Sequence, residues 1–272
     1  MERKKIMILY HSGAGSTRTI AEIFNQLLNQ HTVQMASVTE NIPMDSLDNS
    51  NLLIFAFPTY HCAPSISMRK FVQRIPVLKA KAKAFVITTY GLFSGNAIRI
   101  FSQETKKKNI ITVGYSDYKA PATDGTLIFP SLDFMYRYEN KIEYAIRNDL
   151  EKIIALLDSP FPEEDIPTFK LYTILNAPNR YLGEKYQPVI NIIEDRCIQC
   201  NMCINNCPNN CWAPGQNKYL LFNRSDCESC YRCIHHCPEN ALILSRRTVT
   251  KKKLNHKFYR ELKEDILNKV LG

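Results

Sequence analysis

The segment CIQCNMCINNCP places Cys197, Cys200, Cys203 and Cys207 at x2, x2 and x3 spacing and closes on Pro208. A second segment, CESCYRCIHHCP, repeats that spacing with Cys227, Cys230, Cys233 and Cys237 before Pro238. This is the spacing of two [4Fe–4S] sites. Three cysteines two residues apart wrap one corner of a cubane and leave its fourth iron to a distant ligand. The fourth cysteine of each run turns away after its proline, so the runs exchange ligands. Cys197, Cys200, Cys203 and Cys237 are expected to hold one cluster, and Cys227, Cys230, Cys233 and Cys207 the other. Structural zinc sites use two separated Cys-x2-Cys pairs instead. Cys211, in CPNNCW, has no partner in the repeat and reads as a small apolar side chain near a cluster. Trp212 reads as packing. His235 and His236 read as solvent-facing loop histidines, with a hydrogen bond to cluster sulfur as the alternative.

A second stretch able to do chemistry is HSGAGSTRTI, residues 11–20, which follows a short apolar run and opens an amphipathic one. Read as a dinucleotide turn, Gly13-x-Gly15-x-x-Arg18 fails at its third position, where close packing wants Gly or Ala. Glu40, near the end of the next strand, is the one residue that suits a ribose. Read as a mononucleotide turn the stretch fits better. Ser12, Ser16, Thr17 and Thr19 supply hydroxyls, and the glycines let successive backbone N–H groups converge on one anion at a helix N-terminus.

YHSGAGSTRTIAE resembles the flavodoxin phosphate loop, commonly Ser-Gly-Thr-Gly-Asn-Thr. Joined to the cysteine runs, it resembles the flavodoxin–ferredoxin fusion proteins of anaerobes, the EFR-family ferredoxins, over nearly the whole chain except the basic tail. Ala14 stands where the family has a hydroxyl and Ser16 where it has Asn. The resemblance implies FMN held by Ser12, Gly13, Ala14, Gly15, Ser16 and Thr17. It also implies two loops around the flavin ring, Pro58, Thr59, Tyr60, His61 and Cys62 in one and Thr89, Tyr90 and Gly91 in the other. Tyr60 or Tyr90 would stack on the ring, and Gly91 would bring backbone to its reactive nitrogen. His11 reads as structural, Cys62 as a small apolar thiol, and His61 as structural or as a donor to the flavin.

The elements that must position these residues follow from periodicity. Apolar strands at Lys5–Tyr10, Thr32–Val38, Leu52–Phe57, Ala84–Thr89 and Asn109–Tyr115 alternate with helical patterns, as a parallel sheet covered on both faces requires. Ile20, Ile23, Phe24, Leu27 and Leu28 form one buried face of a helix, and Ile142, Ile146, Leu150, Ile153 and Leu157 another. The expected fold is an α/β, flavodoxin-like, doubly wound five-stranded parallel sheet over 1–160, followed by a small α+β two-[4Fe–4S] ferredoxin-type domain over 189–245. The ligand belongs at the carboxyl ends of the strands. Residues 116–137 interrupt the order, and Tyr118, Phe129, Phe134 and Tyr136 there point to an ordered excursion beside the ligand. Residues 161–188, with prolines at 162, 167, 178 and 188, read as a linker that buries Phe169, Leu171, Tyr172, Tyr181 and Tyr186 against the domains. Strands are expected at Val189–Ile193 and Ala241–Leu244, with a hairpin through Tyr219–Phe222. Residues 246–272 form a basic amphipathic helix with Leu254, Phe258, Leu262, Ile266 and Val270 on its apolar stripe.

Composition narrows the class. Nine of ten cysteines lie between Cys197 and Cys237 and no export signal precedes them, which favours metal ligation in a reducing, cytoplasmic setting over disulfides. No stretch approaches the ~18 apolar residues that span a bilayer. The formal charge is +9, but residues 246–272 carry nine Lys/Arg against three Asp/Glu, and each cluster site adds about −2. That balance argues against nucleic acid. The expected function is an electron-transfer iron–sulfur flavoprotein that couples one-electron carriers to FMN, with a redox partner protein such as a ferredoxin or another electron carrier, an acidic one included. Reduction of a small organic acceptor at the flavin, and a docking module with an empty flavin site, are the alternatives.

Overall fold

The computed structural model describes residues 2–175, 189–215, 220–244 and 252–272. Strands β1 (Lys5–Tyr10), β2 (Thr32–Ser37), β3 (Leu52–Tyr60), β5 (Ala82–Tyr90) and β6 (Ile110–Lys119) build a parallel sheet in the order β2-β1-β3-β5-β6. The short β4 (Ala63–Pro64) folds back antiparallel on the end of β3. The inner strands are continuous apolar runs because both faces are covered. In β3, Leu52, Ile54 and Ala56 face one core, and Leu53, Phe55 and Phe57 the other. Helix α1 (Ser16–Leu27) lies on the first face with Ile20, Ile23 and Phe24 inward. Helices α2 (Asp45–Asp48), α3 (Ile66–Arg74) and α4 (Ala97–Lys106) lie on the second. Strand order reverses between β1 and β3, so the crevice at their carboxyl ends is where a ligand of this fold sits.

After β6 the chain makes the expected excursion: a short helix α5 (Gly125–Ile128) and a 3-10 turn (Asp133–Tyr136) precede α6 (Ile142–Asp158). Tyr118 departs from expectation. Strand β6 runs on to Lys119, so Tyr118 is fully buried in the core and donates to Asp149 Oδ2 on α6 at 2.5 Å, away from the excursion's tip. Tyr138 precedes α6 and donates to the Ser16 carbonyl at 2.7 Å.

The described part of the linker hugs the sheet domain through polar groups. The Asp165 N–H donates to the Thr112 carbonyl, Arg99 donates to the Pro167 carbonyl, and Lys170 reaches Ser94 and Asp117. The expectation that its apolar residues are buried fails: Phe169, Leu171 and Tyr172 are 50%, 72% and 37% exposed. Tyr181 and Tyr186 lie outside the described residues. The linker includes a short helix α7 (Tyr172–Leu175).

The cysteine module is two copies of one unit. Strand β7 (Asn191–Ile192) pairs with β10 (Leu242–Ile243), and β8 (Trp212–Pro214) with β9 (Leu220–Phe222), both antiparallel. Short helices α8 (Met202–Asn205) and α9 (Arg232–His236) follow the two cysteine loops. The last helix, α10 (His256–Leu271), returns to the sheet domain and packs Ile266 and Val270 into the α1–α6 core. Arg147 on α6 donates to the Val270 carbonyl, and Lys263 pairs with Glu22 on α1 at 2.8 Å. The tail therefore combines a packed face with a solvated basic one. Among the described residues no helix is long and apolar enough to cross a membrane.

Candidate functional site

The phosphate-type turn lies between β1 and α1. Gly15 opens α1 with φ 153°, a conformation that suits glycine, and a Cβ there would lie 2.3 Å from the Tyr259 ring. A Cβ on Gly13 would lie 2.3 Å from the Tyr60 hydroxyl and 2.9 Å from Cys230 Cβ. The turn is thus pressed by the β3 loop, by α10 and by the second cysteine loop together. Ser12 Oγ is buried and has no hydrogen-bond partner among the described residues. Such an orphaned group costs about 1–3 kcal/mol unless something bonds it. Ser16 Oγ lies 2.8 Å from the Tyr259 hydroxyl, and Thr17 Oγ1 2.7 Å from Thr89 Oγ1. Ala14 packs with Met135, Leu254 and Tyr259, so an apolar side chain suits a position where the resemblance led us to look for a hydroxyl.

A cavity of ≈ 320 Å³ opens beside the turn. Ser12, Gly13, Ala14, Ser16 and Thr17 line one end, and Pro58, Thr59, Tyr60, His61, Cys62, Thr89, Tyr90 and Gly91 line the walls. Of the expected flavin-site residues, Gly15 alone is outside this lining. The β3 loop is a tight hairpin whose two central residues, His61 and Cys62, both have φ > 0, at 49° and 62°. That geometry normally belongs to Asn-Gly, and non-glycine residues hold it at a cost of about 1–3 kcal/mol each. Burial pushes the Tyr90 hydroxyl up to about 12, with Asp117 and Glu139 adding to it. Burial, then the neighbouring Cys230 and Glu228, raise Tyr60 well above its ordinary value, so both tyrosines stay neutral donors.

Two further walls complete the cavity: the excursion that the sequence places beside the ligand, with Phe129, and a second that the sequence reading missed. Ala122, Phe129 and Met135 come from the excursion, and Glu228, Ser229 and Tyr231 from the second cysteine loop. Glu228 is the anchor. It is buried, its Oε1 lies 2.7 Å from His11 Nε2, and it accepts from the Ser67 hydroxyl at 2.9 Å. Burial pushes its carboxyl up, but His11 and the Ser67 donors outweigh that and leave it below its usual range. His235 and His236 do not face solvent, which corrects the sequence reading. Both are buried, and Nε2 of each donates to a sheet-domain carbonyl, Thr123 at 2.9 Å and Ala14 at 3.0 Å. Burial lowers both imidazoles to about 4, so they are neutral staples between domains.

The two cysteine loops share a backbone. Gln199 and Asn201 in one, and Ser229 and Tyr231 in the other, all have φ between 55° and 58°. Asn210 and Asn240 repeat the match at 52°. Alternating handedness turns peptide N–H groups inward, the arrangement that suits an anionic sulfur site. The Cys211 N–H donates to Cys207 Sγ at 3.2 Å, the Ala241 N–H to Cys237 Sγ at 3.3 Å, and the Ser229 N–H to Cys227 Sγ at 3.4 Å. Cys211 and Ala241 therefore occupy equivalent places, in keeping with Cys211 as a small buried side chain. Trp212 stacks on Phe222 at 4.5 Å. Cys197, Cys200, Cys203 and Cys237 line a common small cavity, which brings three cysteines of one run to the fourth of the other. Cys207 and Cys227 meet around Cys211, and Cys230 and Cys233 follow on the same loop. The donor sets fit two clusters. The two loops differ in surroundings: Cys200 is exposed, whereas Cys230 is buried against Gly13.

A family model described as a flavodoxin domain matches residues 7–114, and one described as a 4Fe-4S dicluster domain matches residues 196–242. Among solved structures, two-electron reduced Megasphaera elsdenii flavodoxin is 17% identical with a TM-score of 0.37, covering 41% of this chain and 84% of its own. A flavodoxin from the domain Archaea is 16% identical with a TM-score of 0.41, covering 56% and 98%. The flavodoxin of Streptococcus pneumoniae TIGR4 is 14% identical with a TM-score of 0.40, covering 57% and 95%. A search of the curated proteins gave no match.

Proposed function

From a chain that joins a flavodoxin domain to a 4Fe-4S dicluster domain, and is thereby an electron-transfer iron–sulfur flavoprotein, we infer that electrons pass between two [4Fe–4S] clusters and FMN in a fixed order. The observation that carries this order is the seating of the Cys227–Cys233 loop on the phosphate turn, with Cys230 against Gly13 and Glu228, Ser229 and Tyr231 in the cavity wall. Cys207, Cys227, Cys230 and Cys233 are assigned to the cluster beside the flavin cavity, and Cys197, Cys200, Cys203 and Cys237 to the outer one. FMN supplies the junction between one-electron and two-electron chemistry. The chain's own residues hold and exclude: Ser12 and the turn's N–H groups receive the phosphate, Tyr60 and Tyr90 wall the ring, and Glu228 with His11 and Ser67 locks the inner loop in place. The exposed loop at Ile198 and Cys200 is where an external carrier, a ferredoxin or similar protein of the cytoplasm, would exchange electrons.

A second reading draws on the cavity mouth. Leu92, Phe93, Ile128 and Phe129 line it and are each about half exposed, at 55%, 59%, 50% and 53%. An apolar rim of this kind suits a planar organic acceptor as well as a partner protein. Anaerobic reconstitution followed by iron and flavin assays and rapid reduction tests both readings. Electron transfer requires bound FMN that is reduced only when the clusters are present. Protein that takes up clusters but no flavin overturns the proposal.

A further inference from the structure

A second cavity, of ≈ 360 Å³, lies across the phosphate turn from the flavin cavity and shares only Ser12, Gly13 and Ala14 with it. Three separate parts of the chain bring cations to it: Arg18 from α1, Arg232 from α9, and Arg260 and Lys263 from α10. Two carboxylates, Glu22 and Glu40, face these four cations. Glu22 is already engaged by both Arg18 and Lys263 at 2.8 Å. Arg232 and Arg260 have no ion-pair partner among the described residues, and Arg232 Nε is buried without a hydrogen bond. His256 adds a further ring to the same wall. Like charges gathered around a space, with one guanidinium nitrogen buried and unbonded, are offset by a bound anion.

The end of β2 brings different chemistry to the same cavity. Ser37, Thr39 and Glu40 stand at the carboxyl end of β2, and the Glu40 side chain makes no hydrogen bond or ion pair among the described residues. A carboxylate at the end of the second strand is placed to accept sugar hydroxyls. The cavity thus combines cationic and hydroxyl-accepting lining, within the volume range of small-molecule sites. We propose that this cavity binds a nucleoside phosphate, with its phosphates on Arg232 and Arg260 and its ribose hydroxyls on Glu40. Apart from the shared turn Ser12–Ala14, the site stands on its own residues.

The test is equilibrium dialysis of the full-length, cluster-loaded, FMN-saturated protein against labelled ADP, with adenosine and inorganic phosphate as parallel probes and flavin content assayed in every sample. One ADP is expected per chain, held at least about tenfold more tightly than adenosine or phosphate alone. Arg260→Gln is expected to weaken ADP and phosphate by about tenfold, and Glu40→Gln to weaken ADP and adenosine by about fivefold while leaving phosphate unchanged. Both side chains are exposed and neither lines the flavin cavity, so FMN content should not change. No ADP binding at millimolar concentration, ADP binding that FMN saturation abolishes, or affinities indifferent to both substitutions would each overturn the proposal. Flavin content reports separately on the electron-transfer reading.

Discussion

The loops Cys197–Cys203 and Cys227–Cys233 have the same spacing and the same left-handed residues, yet one is a surface and the other an interface. At the first, Ile198 is 63% exposed; at the equivalent place in the second, Glu228 is 5% exposed and pairs with His11. Asn201 is matched by Tyr231, Asn205 by His235 and Asn206 by His236, and in each case the second-loop residue is buried against the sheet domain. The repeat fixes how a loop wraps a cluster. The residues between the cysteines decide what the cluster faces. Reading the two runs against each other, instead of for their shared spacing, would have exposed the docking face.

The largest test of this difference is electronic. Cys230→Ser should cut cluster-dependent flavin reduction by on the order of 100-fold, whereas Cys200→Ser should slow uptake from an external carrier and leave transfer from the inner cluster to FMN intact. Stopped-flow absorbance with freeze-quenched spectra separates the two. Equal effects on the inner step would break the assignment of inner and outer loops.

Exchanging the residues at the equivalent position comes next. Glu228→Ile strands His11 and the Ser67 donors in a buried interface and should destabilise the chain by about 3–5 kcal/mol in denaturant unfolding. The reciprocal Ile198→Glu sits on the surface and should stay within about 0.5 kcal/mol. His236→Asn, which gives the second loop the residue of the first, removes the donor to the Ala14 carbonyl and should cost about 1 kcal/mol with weaker FMN retention. Asn206→His should change neither.

The last effect belongs to neither loop and so marks the contribution of the sheet domain by itself. Burial, with Asp117 and Asp149 nearby, raises Glu139 to about 7. The native state therefore holds a proton that the unfolded chain loses near its ordinary carboxyl value. Stability from this group is full below about pH 4.5 and is lost as pH rises to about 7. Glu139→Gln should be more stable than the parent above pH 7 by roughly 1 kcal/mol, given its partial solvent exposure, and should gain nothing below pH 4.5. Urea titrations at pH 4.5 and 7.5 measure the difference.

Much of the fold was legible because local patterns dictated it. The five parallel strands start within two residues of where apolar runs place them, and the β3 and β5 loops fall at the carboxyl edge beside the turn. Errors arose where a long-range partner overrode a local cue. Tyr118 looked like a loop aromatic until β6 continued through it. The linker aromatics looked buried, but backbone carbonyls and Lys170 hold that segment instead. The two histidines looked solvated because nothing near them in sequence carries the carbonyls of Thr123 and Ala14 that they bond.

The sequence by itself determined the two cluster loops, the glycine turn and the sheet that presents it, because each depends on spacing and periodicity within a few dozen residues. Tertiary structure alone decided that the second loop, not the first, closes the cavity beside the turn. It also decided that Tyr259 from the far end of the chain covers the turn, and that scattered cations converge on the turn's other side. Those outcomes depend on shape and charge matching between segments more than a hundred residues apart, and no local pattern encodes them.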